Sequence, residues 1–193
     1  LAGLWGQAVL GLVTAGGTTV LGRRHLAGDR PVVLVANHQS MLDIMVLYAL
    51  RHQFKWVAKA SLFRVPFLGW SMRASGYIAL ERSSTRSIRE AYAAAKEQLR
   101  GGMSVMFFPE GTRSDTDDML PFKNGAFKLA MDLGVPVVPV ALSGTRDLLV
   151  KGSWMLRPGR RVRVSVLEPI DASCYRKDAP GRVFLAEVRE LIK

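Results

Sequence analysis

Three features of this 193-residue chain predict an α/β fold with a mixed, largely parallel sheet flanked by helices. Short apolar runs recur, as at 31–36, which is rich in β-branched residues, and at 103–108. Helical patterns alternate with them, as at 85–100, where Ile88, Ala91, Ala95 and Leu99 share one face. Polar and charged residues follow several apolar runs directly. In open parallel sheets, ligands sit just beyond the carboxyl ends of the strands.

In chain order, residues 1–22 carry no charge and hold six glycines, and Arg23 and Arg24 follow. A spanning helix needs about 20 mostly apolar residues. Residues 1–13 therefore read as the last part of such a helix, as an interfacial helix, or as an ordinary buried first helix. The segment starts at Leu1 rather than Met and lacks the charged start of a signal peptide. Residues 14–22 read as loop and strand, so the folded domain is expected over 14–193. PVVLVA (31–36) is a buried strand, and 40–50 is a helix with Ser40 as its N-cap. FKWVA (54–58) and GYIAL (76–80) are strands. The helix at 85–100 stops at Gly101-Gly102. A strand at 103–108 and a helix at 124–134 follow. The strand at 135–142 contains Pro136 and Pro139, which suits an edge or terminus better than a sheet centre. RVRVSVLE (161–168) alternates, so one face is buried and one exposed, and 181–193 is a closing helix. The chain has no internal repeat, low-complexity tract or linker.

The composition is that of a globular protein, with 49% hydrophobic and 22% charged residues. A single cysteine, Cys174, excludes an internal disulfide and a cysteine zinc site, and suits a reducing compartment. The three histidines lack metal-ligand spacing, so no metal is expected. The net charge of +11 draws the chain towards polyanions: an anionic membrane, phosphorylated substrates, an acidic carrier protein or nucleic acid. The basic residues are scattered, apart from a short cluster at Arg157, Arg160, Arg161 and Arg163. No nucleic-acid-binding motif accompanies them.

Three segments carry candidate chemistry. NHQSMLD (37–43) follows a strand and opens a helix. On one continuous helix, His38 and Asp43 would be separated by about 140°. They meet only if His38 lies in the turn and Asp43 in the first helical turn. A carboxylate so placed fixes the imidazole tautomer and leaves the other nitrogen free to take a proton. The same segment also fits a capping box, Ser40-x-x-Asp43, with His38 a bystander. In FFPEGTRS (107–114), Pro109 ends a strand and Gly111 permits a tight turn. Glu110 and Arg113 are then presented at the sheet end. There Glu110 can accept from a polyol hydroxyl, and Arg113 offers a fork for phosphate; a turn with a surface ion pair fits as well. GYIALER (76–82) ends on Glu81 and Arg82, either a phosphate ligand beside an acid or a solvated strand end. Lys59 and Lys123 are further cations after a strand and before a helix. No nucleophile elbow, P-loop, dinucleotide fingerprint or C-x-x-C competes.

Together these segments resemble the glycerolipid acyltransferase superfamily, and within it the 1-acylglycerol-3-phosphate O-acyltransferases. Four blocks stand in the family's order: NHQSMLD, GYIALER, FPEGTRS (108–114) and VPVVPV (135–140). KASLF (59–63) with PFLGW (66–70), and FKNGAF (122–127), are also similar. The likeness covers roughly residues 17 to 175. Where the family commonly has Asp before the arginine of its second block, this chain has Glu81.

The resemblance implies a glycerol-3-phosphate acyltransferase-like fold and an enzyme that moves an acyl chain from a thioester to a lipid hydroxyl. By analogy His38 is the general base and Asp43 its partner. Arg82 and Arg113 bind the acceptor phosphate, Glu110, Gly111 and Thr112 bind the acceptor, and Lys59 is a further phosphate candidate. No cofactor is implied, because acyl-CoA or acyl-carrier protein serves as co-substrate. The implied acceptor is a lysophospholipid, 1-acylglycerol-3-phosphate, giving phosphatidic acid in phospholipid biosynthesis; another lyso-lipid such as lyso-ornithine lipid is the alternative. The expected partners are the anionic membrane surface, the lysophospholipid and the acyl donor, with no nucleic acid. The expected location is the cytoplasmic face of the inner membrane, peripheral or anchored through residues 1–13.

Overall fold

The computed structural model describes residues 17–114, 118–149, 159–175 and 181–193, together with Gly11, Thr116, Met155 and Arg157. The expected membrane-proximal segment 1–13 lies outside the described residues except for Gly11.

The described strands are β1 (Thr18–Leu21), β2 (Val33–Ala36), β3 (Phe54–Lys59), β4 (Ile78–Leu80), β5 (Ser104–Phe107), β6 (Val137–Ser143) and β7 (Val162–Val166). They form one sheet in the order β1-β7-β6-β2-β5-β3-β4. From β6 to β4 all neighbours are parallel, whereas β7 runs antiparallel to β6 and parallel to β1. The described α-helices are α1 (Asp43–Leu47), α2 (Leu68–Ala74), α3 (Thr85–Arg100), α4 (Gly125–Leu133), α5 (Thr145–Leu148) and α6 (Arg182–Ile192). The expected mixed, largely parallel α/β architecture is the one observed.

Strand alternation divides the core into two layers. Val33, Val35 and Val105 point to one face, where they pack with Ala91, Ala95 and Leu99 of α3, Phe127 and Ala130 of α4, and Phe184 and Val188 of α6. Leu34, Ala36 and Met106 point to the other face, towards Val46 and Leu47 of α1 and Leu148 of α5. β2 is fully buried between β5 and β6, as a continuous apolar run in a two-sided sheet should be. Each parallel crossover brings the chain back to the same end of the sheet. The segments after β2, β3, β4 and β5 therefore emerge along one edge, and the chemistry is there.

Three expectations are corrected. β6 is an interior strand despite Pro139. The Pro139 carbonyl accepts from the Leu167 amide, so its nitrogen faces the same side, just past the last β6–β7 pair, Val140 with Val166. No donor is lost on the β2 side, and on the β7 side only the reciprocal of the Leu167 bond is missing, at the point where the regular ladder stops. Ile88 is exposed, on the first turn of α3, and the buried stripe is Ala91, Ala95 and Leu99. Ser40 does not cap the helix, which starts at Asp43 with Leu42 before it and no side-chain cap. Among the described residues no helix is long and apolar enough to cross a membrane.

Candidate active site

The chain leaves the buried β2 at Ala36 and must turn before α1. Asn37 extends the sheet with its side chain. Its Nδ2 donates to the Leu142 carbonyl (2.9 Å) and its Oδ1 accepts from the Leu142 amide (2.7 Å). This amide pair, itself buried, holds the turn against β6 where β2's backbone ladder ends. Ser40 Oγ donates to the Leu149 carbonyl at 3.0 Å, tying down the far side of the turn.

Inside the turn, His38 Nδ1 lies 2.9 Å from Asp43 Oδ2. The same oxygen accepts from the amides of Gln39 (2.7 Å) and Ser40 (2.9 Å). Asp43 is fully buried, and its Oδ1 has no partner, so all three donors converge on one oxygen. The carboxylate only accepts, so in the neutral ring Nδ1 carries the proton and Nε2 keeps its lone pair. One half of the capping box survives, the Ser40 amide to Asp43. The other half is replaced by the contact of Ser40 with Leu149. The pairing and the capping readings thus share one carboxylate.

The loop after β5 clamps His38 from both backbone sides. The His38 amide donates to Glu110 Oε1 (2.7 Å), and the His38 carbonyl accepts from the Ser114 amide (3.0 Å). Phe108 stacks on the imidazole with centroids 4.0 Å apart and planes 14° from parallel. Trp56 of β3 stacks in turn on Phe108 at 5.4 Å. The ring is thus set by a hydrogen bond at one edge and a stack on one face.

Glu110 is buried, and both its oxygens are engaged, Oε2 accepting from the Leu120 amide at 2.8 Å. Burial pushes its carboxyl above the usual range, and the two amide donors partly oppose this. In the structure it braces the His38 turn and the 118–123 loop from within. Gly111 has φ +79°, and a β-carbon there would meet Lys123 Cε at 3.2 Å, Lys123 Nζ at 3.3 Å and Arg82 Cζ at 3.5 Å. Two cations from distant segments therefore flank one point above the turn, and glycine keeps that point open. Desolvation holds the Arg82 guanidinium somewhat below its ordinary value, with Glu81 opposing. The Lys123 amide donates to the Pro109 carbonyl at 2.9 Å, fixing the lysine to the same turn. Thr112 is exposed and Arg113 half-buried in the same loop. Lys59 is exposed at the end of β3, in register with Leu80, two residues before Arg82.

The structure thus brings His38, Asp43, Glu110 and Gly111 into one turn cluster with Arg82 beside it. Lys123, which sequence reasoning noted without assigning it a role, belongs to this cluster. In the sequence Asn37 and Phe108 stand out only as parts of their blocks. Their flanking positions, one before His38 and one ending the β5 run, are the only sequence signal for their tasks.

The acyltransferase family model matches residues 17–143. The chain belongs to the acyltransferase family. A 1-acyl-sn-glycerol-3-phosphate acyltransferase of Chlamydomonas reinhardtii is 45% identical over 144 residues, covering 74% of this chain and 43% of that protein. The Saccharomyces cerevisiae enzyme of the same name is 39% identical over 175 residues, covering 89% and 57%. The chain therefore spans about half the length of these relatives. Among solved structures, the 1-acyl-sn-glycerophosphate acyltransferase PlsC of Thermotoga maritima matches with a TM-score of 0.82 and 31% identity. That match covers 98% of this chain and 78% of PlsC.

Proposed function

We propose that this acyltransferase moves a fatty acyl chain from an acyl-CoA or acyl-carrier-protein thioester to the free hydroxyl of 1-acylglycerol-3-phosphate, giving phosphatidic acid for phospholipid synthesis. The observation that carries the reading is the His38–Asp43 pair, with Nε2 available for a proton, next to the Arg82 and Lys123 cations around Gly111. His38 Nε2 takes the hydroxyl proton as the oxygen attacks the thioester carbonyl. The tetrahedral intermediate collapses, the carbon–sulfur bond breaks, and the thiolate takes the proton back from the imidazolium. Asp43 stabilises the imidazolium between these steps. No covalent acyl-enzyme is needed, and the thioester is consumed as co-substrate.

Arg82 and Lys123, with Arg113 from the same loop and Lys59 on the neighbouring strand, bind the acceptor phosphomonoester. Glu110 acts from below, holding the turn, and Gly111 and Thr112 line the approach of the acceptor. The net charge of +11 and the apolar residues 1–13 support a peripheral or N-terminally anchored location on the cytoplasmic face of the inner membrane.

Thioester release by purified protein tests this, with both donor types offered against lysophosphatidate, glycerol 3-phosphate and lyso-ornithine lipid. Lysophosphatidate is expected to be the preferred acceptor. His38→Ala abolishes release. Arg82→Ala and Lys123→Ala each raise KM for lysophosphatidate by about tenfold or more, the scale of a lost charge-assisted hydrogen bond. Equal use of the phosphate-free acceptor, indifferent to Arg82 and Lys123, would overturn the acceptor assignment.

A further inference from the structure

The end of the β3–α2 connection and the first turn of α2 present apolar side chains to solvent rather than burying them. Four of the six residues 65–70 are exposed and large: Val65 (45%), Phe67 (77%), Leu68 (46%) and Trp70 (61%). Phe67 and Trp70 touch edge to face with centroids 5.1 Å apart. Other exposed apolar residues, such as Leu21, Ile88 and Val183, are isolated, and single exposures of that kind need no explanation.

The presentation is held by the backbone. Phe67 adopts φ 60° and ψ −53°, and the Leu68 amide donates to the Pro66 carbonyl at 2.7 Å. This is a γ-turn of the strained, positive-φ form. The turn is clamped from behind by Gly69, where a β-carbon would sit 2.1 Å from the Phe63 carbonyl oxygen, and by the buried Phe63 and Met72. A strained backbone with aromatic rings directed into water is a costly arrangement for a surface that stays in water.

Charge identifies what covers it. Residues 44–80 carry Arg51, Lys55, Lys59, Arg64 and Arg73 and not one Asp or Glu. Arg64 and Arg73 flank the patch and are exposed. The patch is also well placed. The 3-10 turn Ala60–Arg64 leaves the carboxyl end of β3, so Phe67 stands along the same sheet edge as His38 and Arg82.

We propose that Val65, Phe67, Leu68 and Trp70 form a membrane-insertion surface that seats the active-site edge on an anionic lipid bilayer, independently of residues 1–13. Aromatic rings enter the headgroup boundary and the flanking arginines meet lipid phosphates. A protein partner is less well matched, because four side chains fall far short of the roughly 1,000 Å² that a stable protein interface needs, whereas a bilayer needs no shape complement. The inference rests on the proposed acceptor being a bilayer lipid, since it brings that lipid's hydroxyl to His38.

Partitioning of the full chain onto phosphatidylglycerol–phosphatidylcholine vesicles tests it. Phe67→Ser/Trp70→Ser is expected to weaken partitioning by about tenfold or more, since binding scales with inserted apolar area. Turnover of a short-chain, water-soluble lysophosphatidate should stay within about twofold, as these residues lie outside the catalytic turn. Trp70→Ser alone leaves the γ-turn residue in place and should shift partitioning in the same direction. Nitroxide-labelled lipid should quench wild-type emission more than that of Trp70→Phe. Unchanged partitioning of the variants, or no Trp70 emission quenched by lipid, would overturn the proposal. So would lipid-independent self-association lost in the double variant with vesicle binding intact. Patch-dependent vesicle binding by a wild-type protein inert towards lysophosphatidate would uphold the surface and sink the acceptor assignment instead.

Discussion

His38 and His52 stand at opposite ends of the same group of parallel strands. His38 follows β2 at the carboxyl edge. His52 precedes β3 at the amino edge, where its Nε2 is 3.0 Å from Ser104 Oγ, which also accepts from the Val32 amide. Both are partly buried imidazoles beside a polar side chain. His38, however, has a fully buried carboxylate at Nδ1, an aromatic ring on its face and two cations across the turn. His52 has a hydroxyl, and burial lowers its pKa below the ordinary 6.5. An imidazole becomes a general base through a partner that stabilises its protonated form and a neighbouring place for the substrate. Burial with a hydroxyl provides neither.

The largest expected effect removes the feature that separates the two sites. Asp43→Asn keeps an oxygen for the Gln39 and Ser40 amides and for His38 Nδ1, so the turn survives. What is lost is the charge facing the imidazolium. Turnover should fall by at least about a hundredfold, towards the limit of general-base catalysis, with melting temperature little changed. Steady-state kinetics beside thermal unfolding separates the two readouts. Turnover within a few fold of wild type would mean that the carboxylate serves as a structural brace alone.

A smaller effect is expected from the stack. Phe108→Leu preserves an apolar contact and removes the flat face lying 4.0 Å from the imidazole. Aromatic pairs of this kind contribute about 0.5–1.5 kcal/mol beyond burial. The loss should appear in kcat, roughly two- to tenfold, with KM for the acceptor unchanged. A rise in KM alone would show that Phe108 shapes the acceptor site instead.

The local features of this edge were legible in sequence, and the long-range ones were not. The His38–Asp43 spacing between a strand and a helix dictated that the two could meet only across a turn, and they do. The parallel sheet followed from alternating patterns over short stretches. By contrast, Ser40 is diverted from capping by Leu149, 109 residues away. Glu110 is claimed by the His38 amide, 72 residues away. Lys123 reaches Gly111 because the loop after 118 folds back onto the Pro109 turn. Pro139 sits in an interior strand only because β7 ends beside it, which depends on the register of the two strands. Each was decided by a partner far along the chain, and periodicity carries no information about such partners.

The smallest effect concerns the other histidine. His52→Gln keeps a polar group near Ser104 and removes the titration. Because burial lowers the folded-state pKa below 6.5, the unfolded chain takes up this proton first as pH falls. The stability associated with neutral His52 is therefore present above about pH 6.5 and is lost as pH drops towards the lowered folded value. Glu110 acts in the opposite sense, because its raised pKa favours protonation in the folded state and so adds stability as pH falls through that value. Subtracting the variant's denaturation curve from the wild type's at each pH cancels Glu110 and leaves His52. The variant should lose less stability than the wild type between neutral and mildly acidic pH, with kcat and KM unchanged at neutral pH. A change in kcat would make the amino edge of the sheet part of the catalytic apparatus and would dissolve the contrast between the two histidines.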